Sequence, residues 1–337
     1  MIFSRTKGSL ERLPRVLVLA LLALLLTGGR PRPEQKPSKD TASTADIQAR
    51  EDLAKIFPGR ILFDSNRGAG FGIFAIDSRG QKLETIADSR EHEMYPDVSP
   101  DGKWIVFARS DSLSKHATSE IRIVSLSGHD ERKLADNATF PTFSADGLAV
   151  YFERNRESVM KIDIKSGKET ELFPKGNPEW TEVAIVKPHV SPDGKFVTFI
   201  SEQPRRWSAW YADLTTGKAA QVGSGCEPTW YPGSTKIAWV GGKTRLERSG
   251  ISSFELSTGK VETVQDSGPP RGHEYFPSVT GDSRFLLYAA ARPGEHEPTT
   301  ANYQIFVKDL TTSRVTRITF DPHTNRWPKL LPFPLLR

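Results

Sequence analysis

A single cysteine, Cys226, stands among 337 residues, so no internal disulfide can brace the fold. A lone Cys in an exported chain is either a small buried apolar residue or a free thiol. Two residues ahead of a strand-starting Pro228, Cys226 reads as buried. Long apolar runs are scarce too. Val16 to Leu26 is eleven residues, against the ~20 needed to span a bilayer. No cysteine follows that run, so there is no thiol for a lipoprotein anchor. Excess charge of one sign is missing from the body. The formal net charge is +5, but residues 1–29 hold Arg5, Lys7, Arg12 and Arg15 against Glu11, which leaves 42 basic and 40 acidic residues. A body so close to neutral gives no electrostatic reason to expect nucleic acid as a partner. The glycine-rich piece Gly68-Ala69-Gly70-Phe71-Gly72 lacks the following helix that phosphate binding needs.

What is present is repetition. Pro96-Asp97-Val98-Ser99-Pro100-Asp101-Gly102-Lys103 is followed by the short apolar run Trp104 to Phe107. Ser-Pro-Asp-Gly is turn chemistry, and the run after it has the β-branched and aromatic content of a buried strand. The phrase returns intact at Pro188 to Lys195, before Phe196 to Phe199. Worn copies begin at Pro141, Pro228 and Pro277, and a sixth at Pro328 is cut short by the chain end. A second turn recurs six times, at Asp77 to Gly80, Ser125 to Gly128, Asp163 to Gly167, Asp213 to Gly217, Glu255 to Gly259 and Asp309 to Ser313. Two independent turn signals at spacings of 39 to 54 residues predict four-stranded units of the β-propeller type. The second strands are expected at Ile61 to Phe63, Trp104 to Phe107, Ala149 to Phe152, Phe196 to Phe199, Ile237 to Trp239 and Phe285 to Tyr288. The first unit starts at its second strand, and Trp327 to Leu331 is an orphan first strand at the other end. Pairing the two predicts an all-β, six-bladed propeller over residues 58–337, closed by the C-terminal strand on the first blade.

Ahead of the repeats, residues 1–29 have the basic, apolar and small-residue parts of a secretory signal, with an uncleaved anchor as the rival reading. Residues 30–57 read as a solvated tether and a short helix over Ile47 to Phe57, with Asp46 as N-cap and Pro58 past its end.

The repeated Pro-x-hydrophobic-Ser-Pro-Asp-Gly-Lys turn, with Asp-Leu-x-x-Gly closing the third strand, resembles the WD-like repeats of the TolB-type six-bladed propellers. The resemblance covers about residues 58–337. It implies a bacterial cell-envelope protein, periplasmic or secreted, that works without a cofactor as a monomer, holding other envelope proteins or peptides. TolB itself carries an α/β domain ahead of its blades, where only some thirty residues of tether stand here, so no partner-binding residue is carried over. The membrane is expected to matter only through the N-terminal segment. Prolyl-oligopeptidase-type enzymes resemble the repeats as well, but they need a hydrolase domain of a few hundred residues.

In such blades the irregular connections fall on one face: 108–120, 201–208 and 290–302. Variable loops on a rigid scaffold are the usual place of binding. The phrase His92-Glu93-Met94-Tyr95-Pro96 is duplicated as His273-Glu274-Tyr275-Phe276-Pro277, and His323 stands nearly equivalent before Pro328. His92, Glu93, His189, His273, Glu274 and His323 are therefore the expected ligand-binding face. The alternative to a non-catalytic scaffold is one divalent metal held by His92, His273 and His323. That set resembles the histidine-held metal of propeller lyases acting on acidic sugars; the plainer account is a polar side chain capping a loop, as at Asn137. The residues after each Pro (Asp97, Thr142, His189, Thr229, Ser278 and Lys329) are expected to line an aqueous central channel. Asp101, Asp146 and Asp193 are assigned to turn structure, and Trp207, Trp210, Trp230, Trp239 and Trp327 to packing between blades rather than sugar stacking.

Overall fold

The computed structural model describes residues 41–333, apart from 115–116, 204–205, 245–247 and 269–270, and gives the backbone alone for 242–244. The chain divides into units 1–38 and 39–337, and only the second falls within the described residues. The signal, most of the tether and His116 lie outside them. No described helix is long and apolar enough to cross a membrane.

The helix begins earlier than its apolar residues suggest. α1 spans Thr44–Ala54 and its N-cap is Ser43, not Asp46. The Ser43 hydroxyl accepts the Asp46 N–H at 3.2 Å, and the Asp46 carboxylate accepts the Ser43 N–H at 2.9 Å. This reciprocal capping satisfies two otherwise orphaned donors. The helix is held from both sides: Glu51 pairs with Arg79 at 3.0 Å and Asp52 with Arg314 at 3.1 Å. Phe57, just past it, packs edge-on against Phe285.

The rest is strand, 24 of them among the described residues, in antiparallel groups of four. The first group is β1 (Gly59–Ser65), β2 (Gly72–Asp77) and β3 (Glu84–Ala87), with β24 (Asn325–Pro332) on the far side of β1. Its register runs from Gly59↔Pro332 to Ser65↔Asn325. Next come β4 (His92–Val98), β5 (Trp104–Ser110), β6 (Ser119–Ser125) and β7 (Arg132–Asp136), then β8 (Ala138–Phe143), β9 (Ala149–Arg154), β10 (Ser158–Asp163) and β11 (Glu169–Phe173). The fourth group is β12 (Val186–Val190), β13 (Phe196–Ser201), β14 (Ser208–Asp213) and β15 (Ala219–Ser224). The last eight strands form one sheet: β16 (Cys226–Trp230), β17 (Lys236–Thr244), β18 (Arg248–Glu255), β19 (Val261–Gln265), β20 (His273–Val279), β21 (Phe285–Ala291), β22 (Gln304–Asp309) and β23 (Val315–Arg317). A single parallel bridge, Ser249↔His273, joins its two groups of four.

All six expected second strands fall inside β1, β5, β9, β13, β17 and β21. They are short, mostly apolar runs because they are covered by the side chains of neighbouring groups. The core cluster of Val106, Ala108, Ile121 and Ile123 reaches across to Val150 and Phe152 of the next group. The fourth strand of a group has only a partial cover, and β19 exposes its first three residues.

The repeated turn works through its serine. Ser99 Oγ donates to Asp101 at 2.6 Å and accepts the Trp104 N–H at 2.9 Å, and Asp101 accepts the Lys103 N–H at 3.1 Å. Ser144 with Asp146 and Ser191 with Asp193 repeat the pattern. These carboxyls sit below the usual aspartate range; at Asp101 the Ser99 hydroxyl is the main cause. They are structural, as their spacing suggested. Gly102 and Gly194 close the intact turns at φ +70° and +73°, which glycine adopts without penalty. Of the worn copies, the one at Pro141 keeps Gly147 there, whereas in the other two Ser234 and Ser283 take the left-handed place, one or two residues after Gly233 and Gly281.

Candidate functional site

Six strands, β4, β8, β12, β16, β20 and β24, each carry an X-Pro step where the pairing register slips. The residue before each proline is left-handed: Tyr95, Phe140, Lys187, Glu227, Phe276 and Trp327 all have φ between 50° and 58°. Pre-proline sterics favour extended backbone, and a bulky side chain in this region costs roughly 1–2 kcal/mol. The same outlier at six equivalent bulges points to a use for the side chains it aims. Neighbouring carboxylates fix two of the strained amides. Tyr95 donates its N–H to Asp64 at 3.2 Å, and Lys187 donates its N–H to Glu153 at 2.9 Å.

The six side chains meet. Tyr95 stacks on Phe140 with centroids 4.0 Å apart, Trp327 stands edge-on to Tyr95 at 5.3 Å, and Phe276 lies 4.7 Å from Trp327. The Lys187 ammonium sits 5.3 Å from the Trp327 ring centre and 5.6 Å from that of Phe140, and is ion-paired to Glu227. Burial works most strongly against that ammonium, but Glu227, together with Cys226 and Tyr95, outweighs it and holds the lysine above its ordinary pKa. Four aromatic rings and one ion pair thus make a layer.

On one side of the layer is a cavity of about 50 Å³, lined by all six prolines with Thr142, His189, Thr229 and Lys329. His189 Nδ1 is hydrogen-bonded to Thr229 Oγ1 at 2.7 Å. Burial, with the Lys329 ammonium second, pushes its pKa down to about 3, so the ring is neutral. Asp97 pairs with Lys329 at 3.3 Å, and Ser278 is not part of the lining. In place of the expected aqueous channel lined by small polar residues stands this layer of four aromatic rings and the Lys187–Glu227 pair. The space beneath it holds a few waters at most.

On the other side is a cleft of about 560 Å³. Tyr95, Phe140, Lys187, Phe276 and Trp327 belong to its floor. Its walls come from the irregular connections: Ser110, Ser112 to Ser114, Ala117 to Ser119, Asn137, Asn155 and Arg156, Trp207, and Glu297 to Thr299. All three loops expected to carry binding, 108–120, 201–208 and 290–302, contribute to these walls, and Asn137, Asn155 and Arg156 come from other connections.

None of the six expected site residues lines this cleft. His92 Nδ1 accepts the Phe71 N–H at 3.2 Å. Glu93 is buried against Arg109 at 2.9 Å and accepts the Ser89 hydroxyl at 2.6 Å. His273 is buried, with Nδ1 hydrogen-bonded to Ser249 at 2.9 Å and its ring edge-on to His296. Glu274 pairs with Arg271 at 2.8 Å; burial raises its pKa to about 7. The backbone of His323 is bound by Asp321, Asn302 and Gln304. His189 reaches the small axial cavity instead of the cleft. Among the described residues no group of three His, Cys, Asp or Glu is placed to hold a metal ion, so His92, His273 and His323 are not brought together. The duplicated phrase marks strands β4 and β20, and on these strands the residue just before proline, rather than the histidine, reaches the layer. A pre-proline set reading Tyr, Phe, Lys, Glu, Phe, Trp was the available signal. Cys226 is half-buried rather than buried, and packs at the edge of a core cluster.

No family model matches the chain. It is 26% identical over 204 residues to the Tol-Pal system protein TolB of Francisella tularensis, which is 58% of this chain and 45% of that protein. The chain thus spans about half the length of the curated relatives it matches. TolB from Acinetobacter baumannii superposes with a TM-score of 0.63 at 17% identity, covering 82% of this chain and 67% of that one. A TolB-type structure from Agrobacterium tumefaciens superposes with a TM-score of 0.59 at 16% identity, covering 82% and 99%.

Proposed function

We propose that the chain, similar to TolB in its propeller, is an exported, six-bladed, non-catalytic platform that holds polypeptides of the cell envelope in its axial cleft. A closed ring is supported by β24 completing the first sheet while also packing against β4 and β20. That only a single bridge joins the last two groups supports counting them as separate blades. The domain plan that goes with this is a signal at 1–29, a tether with its helix at 30–57 and the propeller from 58 on. Export to the periplasm or beyond rests on the signal-like start and the TolB likeness, and a monomer is the working state.

The observation that carries the reading is the aromatic floor. Six bulges hold strained residues in one layer, and the layer closes the axis, so a guest enters from the loop face and stops there. Aromatic rings over a polar-walled cleft suit an extended chain with mixed side chains. A metal-dependent lyase would need His92, His273 and His323 at one ion, and separate partners hold each of them.

Site-specific photocrosslinking in the native host tests the proposal. A photoreactive residue at Leu113, on the cleft wall, should give a discrete polypeptide adduct that weakens when Tyr95 and Trp327 are changed to alanine. The same probe at Thr258, in a short turn, should give none. Equal adducts at both positions, or none at Leu113, would overturn it.

A further inference from the structure

Six carboxylates are buried among the described residues: Asp64, Glu93, Glu153, Glu227, Glu274 and Asp309. A buried carboxylate is costly unless a cation accompanies it. Five have one. Asp64 has Arg326 at 2.9 Å, Glu93 has Arg109 at 2.9 Å, Glu274 has Arg271 at 2.8 Å, Asp309 has Arg284 at 3.5 Å, and Glu227 has Lys187. Glu153, 1% exposed, has no cation at ion-pair distance; its hydrogen bond is from the Lys187 backbone N–H. It is also the one of the six that lines the large cleft.

Resting on the reading of that cleft as a polypeptide site, we infer that Glu153 anchors a cationic side chain of the guest, a lysine or arginine. The guest's cation takes the place that a fixed Arg or Lys takes at the other five carboxylates. The charges around it leave that place open. Lys187 is committed to Glu227 and Arg326 to Asp64. Arg156, on the same hairpin, acts on Glu153 from beyond ion-pair distance, and Glu297 adds negative charge to the cleft wall. Burial, opposed by the Lys187 amide and the Arg156 and Lys187 charges, raises the Glu153 carboxyl to about 7. An arriving cation therefore favours loss of that proton, and binding weakens by about tenfold for each pH unit below this value.

The test uses acetyl-Gly-Arg-Gly-amide and the same peptide with neutral citrulline for arginine, titrated against the full chain by NMR. The indole signals of Trp207 and Trp327 report occupancy of the cleft. At pH 8 the arginine peptide should bind at least about tenfold tighter than the citrulline peptide, and its binding at pH 7 should release about half a proton per complex. Glu153→Gln keeps an acceptor for the Lys187 N–H and should erase the preference. Equal binding of both peptides by the unaltered protein, or an arginine preference that survives Glu153→Gln, overturns the assignment and leaves the platform standing. If neither peptide moves the two tryptophans, the assignment and the cleft reading fall together.

Discussion

Arg326→Met puts a number on how the two ends of the chain are held together. Arg326 lies in β24, is 2% exposed in its side chain, and grips the fully buried Asp64 of β1. Two hydrogen bonds, at 2.9 and 3.1 Å, go to the carboxylate and a third, at 3.1 Å, to the Pro298 carbonyl. The guanidinium also lies 3.8 Å from the centre of the Phe71 ring. Methionine keeps the apolar stem and removes the charge, which strands a carboxylate in the interior. Breaking a buried pair from one side costs about 3–5 kcal/mol, a large share of the roughly 5–15 kcal/mol that holds a domain folded. The partner change must respect the second duty of Asp64, which accepts the strained Tyr95 N–H. Asp64→Asn removes the charge and keeps an acceptor, so Arg326→Met/Asp64→Asn should recover at least ~2 kcal/mol over the single variant. Urea unfolding followed by tryptophan fluorescence and far-ultraviolet ellipticity measures both. A single-variant loss under ~1 kcal/mol, or a double variant no better than the single, would refute the claim that this pair latches the last strand to the first.

Gly59 has an ordinary φ, yet a Cβ there would meet the Leu331 carbonyl oxygen at 2.2 Å and Leu330 Cδ1 at 2.9 Å. Gly59→Ala should therefore shift the β1–β24 pairing and cost about 1–3 kcal/mol, and an unchanged Tm would contradict this. His189 tests the electrostatics of the axis. Its folded pKa of about 3 lies below the ordinary value of 6.5, so its contribution to stability is complete above 6.5 and is lost as pH falls from there toward 3. His189→Gln should thus narrow its stability gap to the unaltered protein between pH 7.5 and pH 4.5. The raised carboxyls of Glu153 and Glu274 have the opposite slope, but they are common to both proteins and cancel. A gap that stays constant with pH would mean that His189 takes up its proton as readily in the fold as in the unfolded chain.

The strands were legible because their signals are local. A Ser-Pro-Asp-Gly turn forms from its own hydroxyl, carboxylate and glycine, so its copies located β5 and β13 without knowledge of their neighbours. The helix start was misplaced because Ser43 and Asp46 cap reciprocally, and only the backbone shows which of the two is the cap. The missed axial residues differ in kind. Before a proline an extended backbone is the default, which would have sent Tyr95 and Phe276 sideways into the sheets. The bulge reverses that, and it exists because strands far apart in sequence crowd one axis. Likewise Glu93 and Glu274 looked like site carboxylates until Arg109 and Arg271 were seen beside them.

By itself, then, the order of residues determined the repeating unit and its two turns, which depend on contacts a few residues long. It also made Trp327 to Leu331 a strand in need of a partner. The tertiary structure alone decided which side chains face the axis and which buried charges are neutralised. Those outcomes turn on approaches between residues as distant as Asp64 and Arg326, where packing and desolvation set the energy and no spacing along the chain records it.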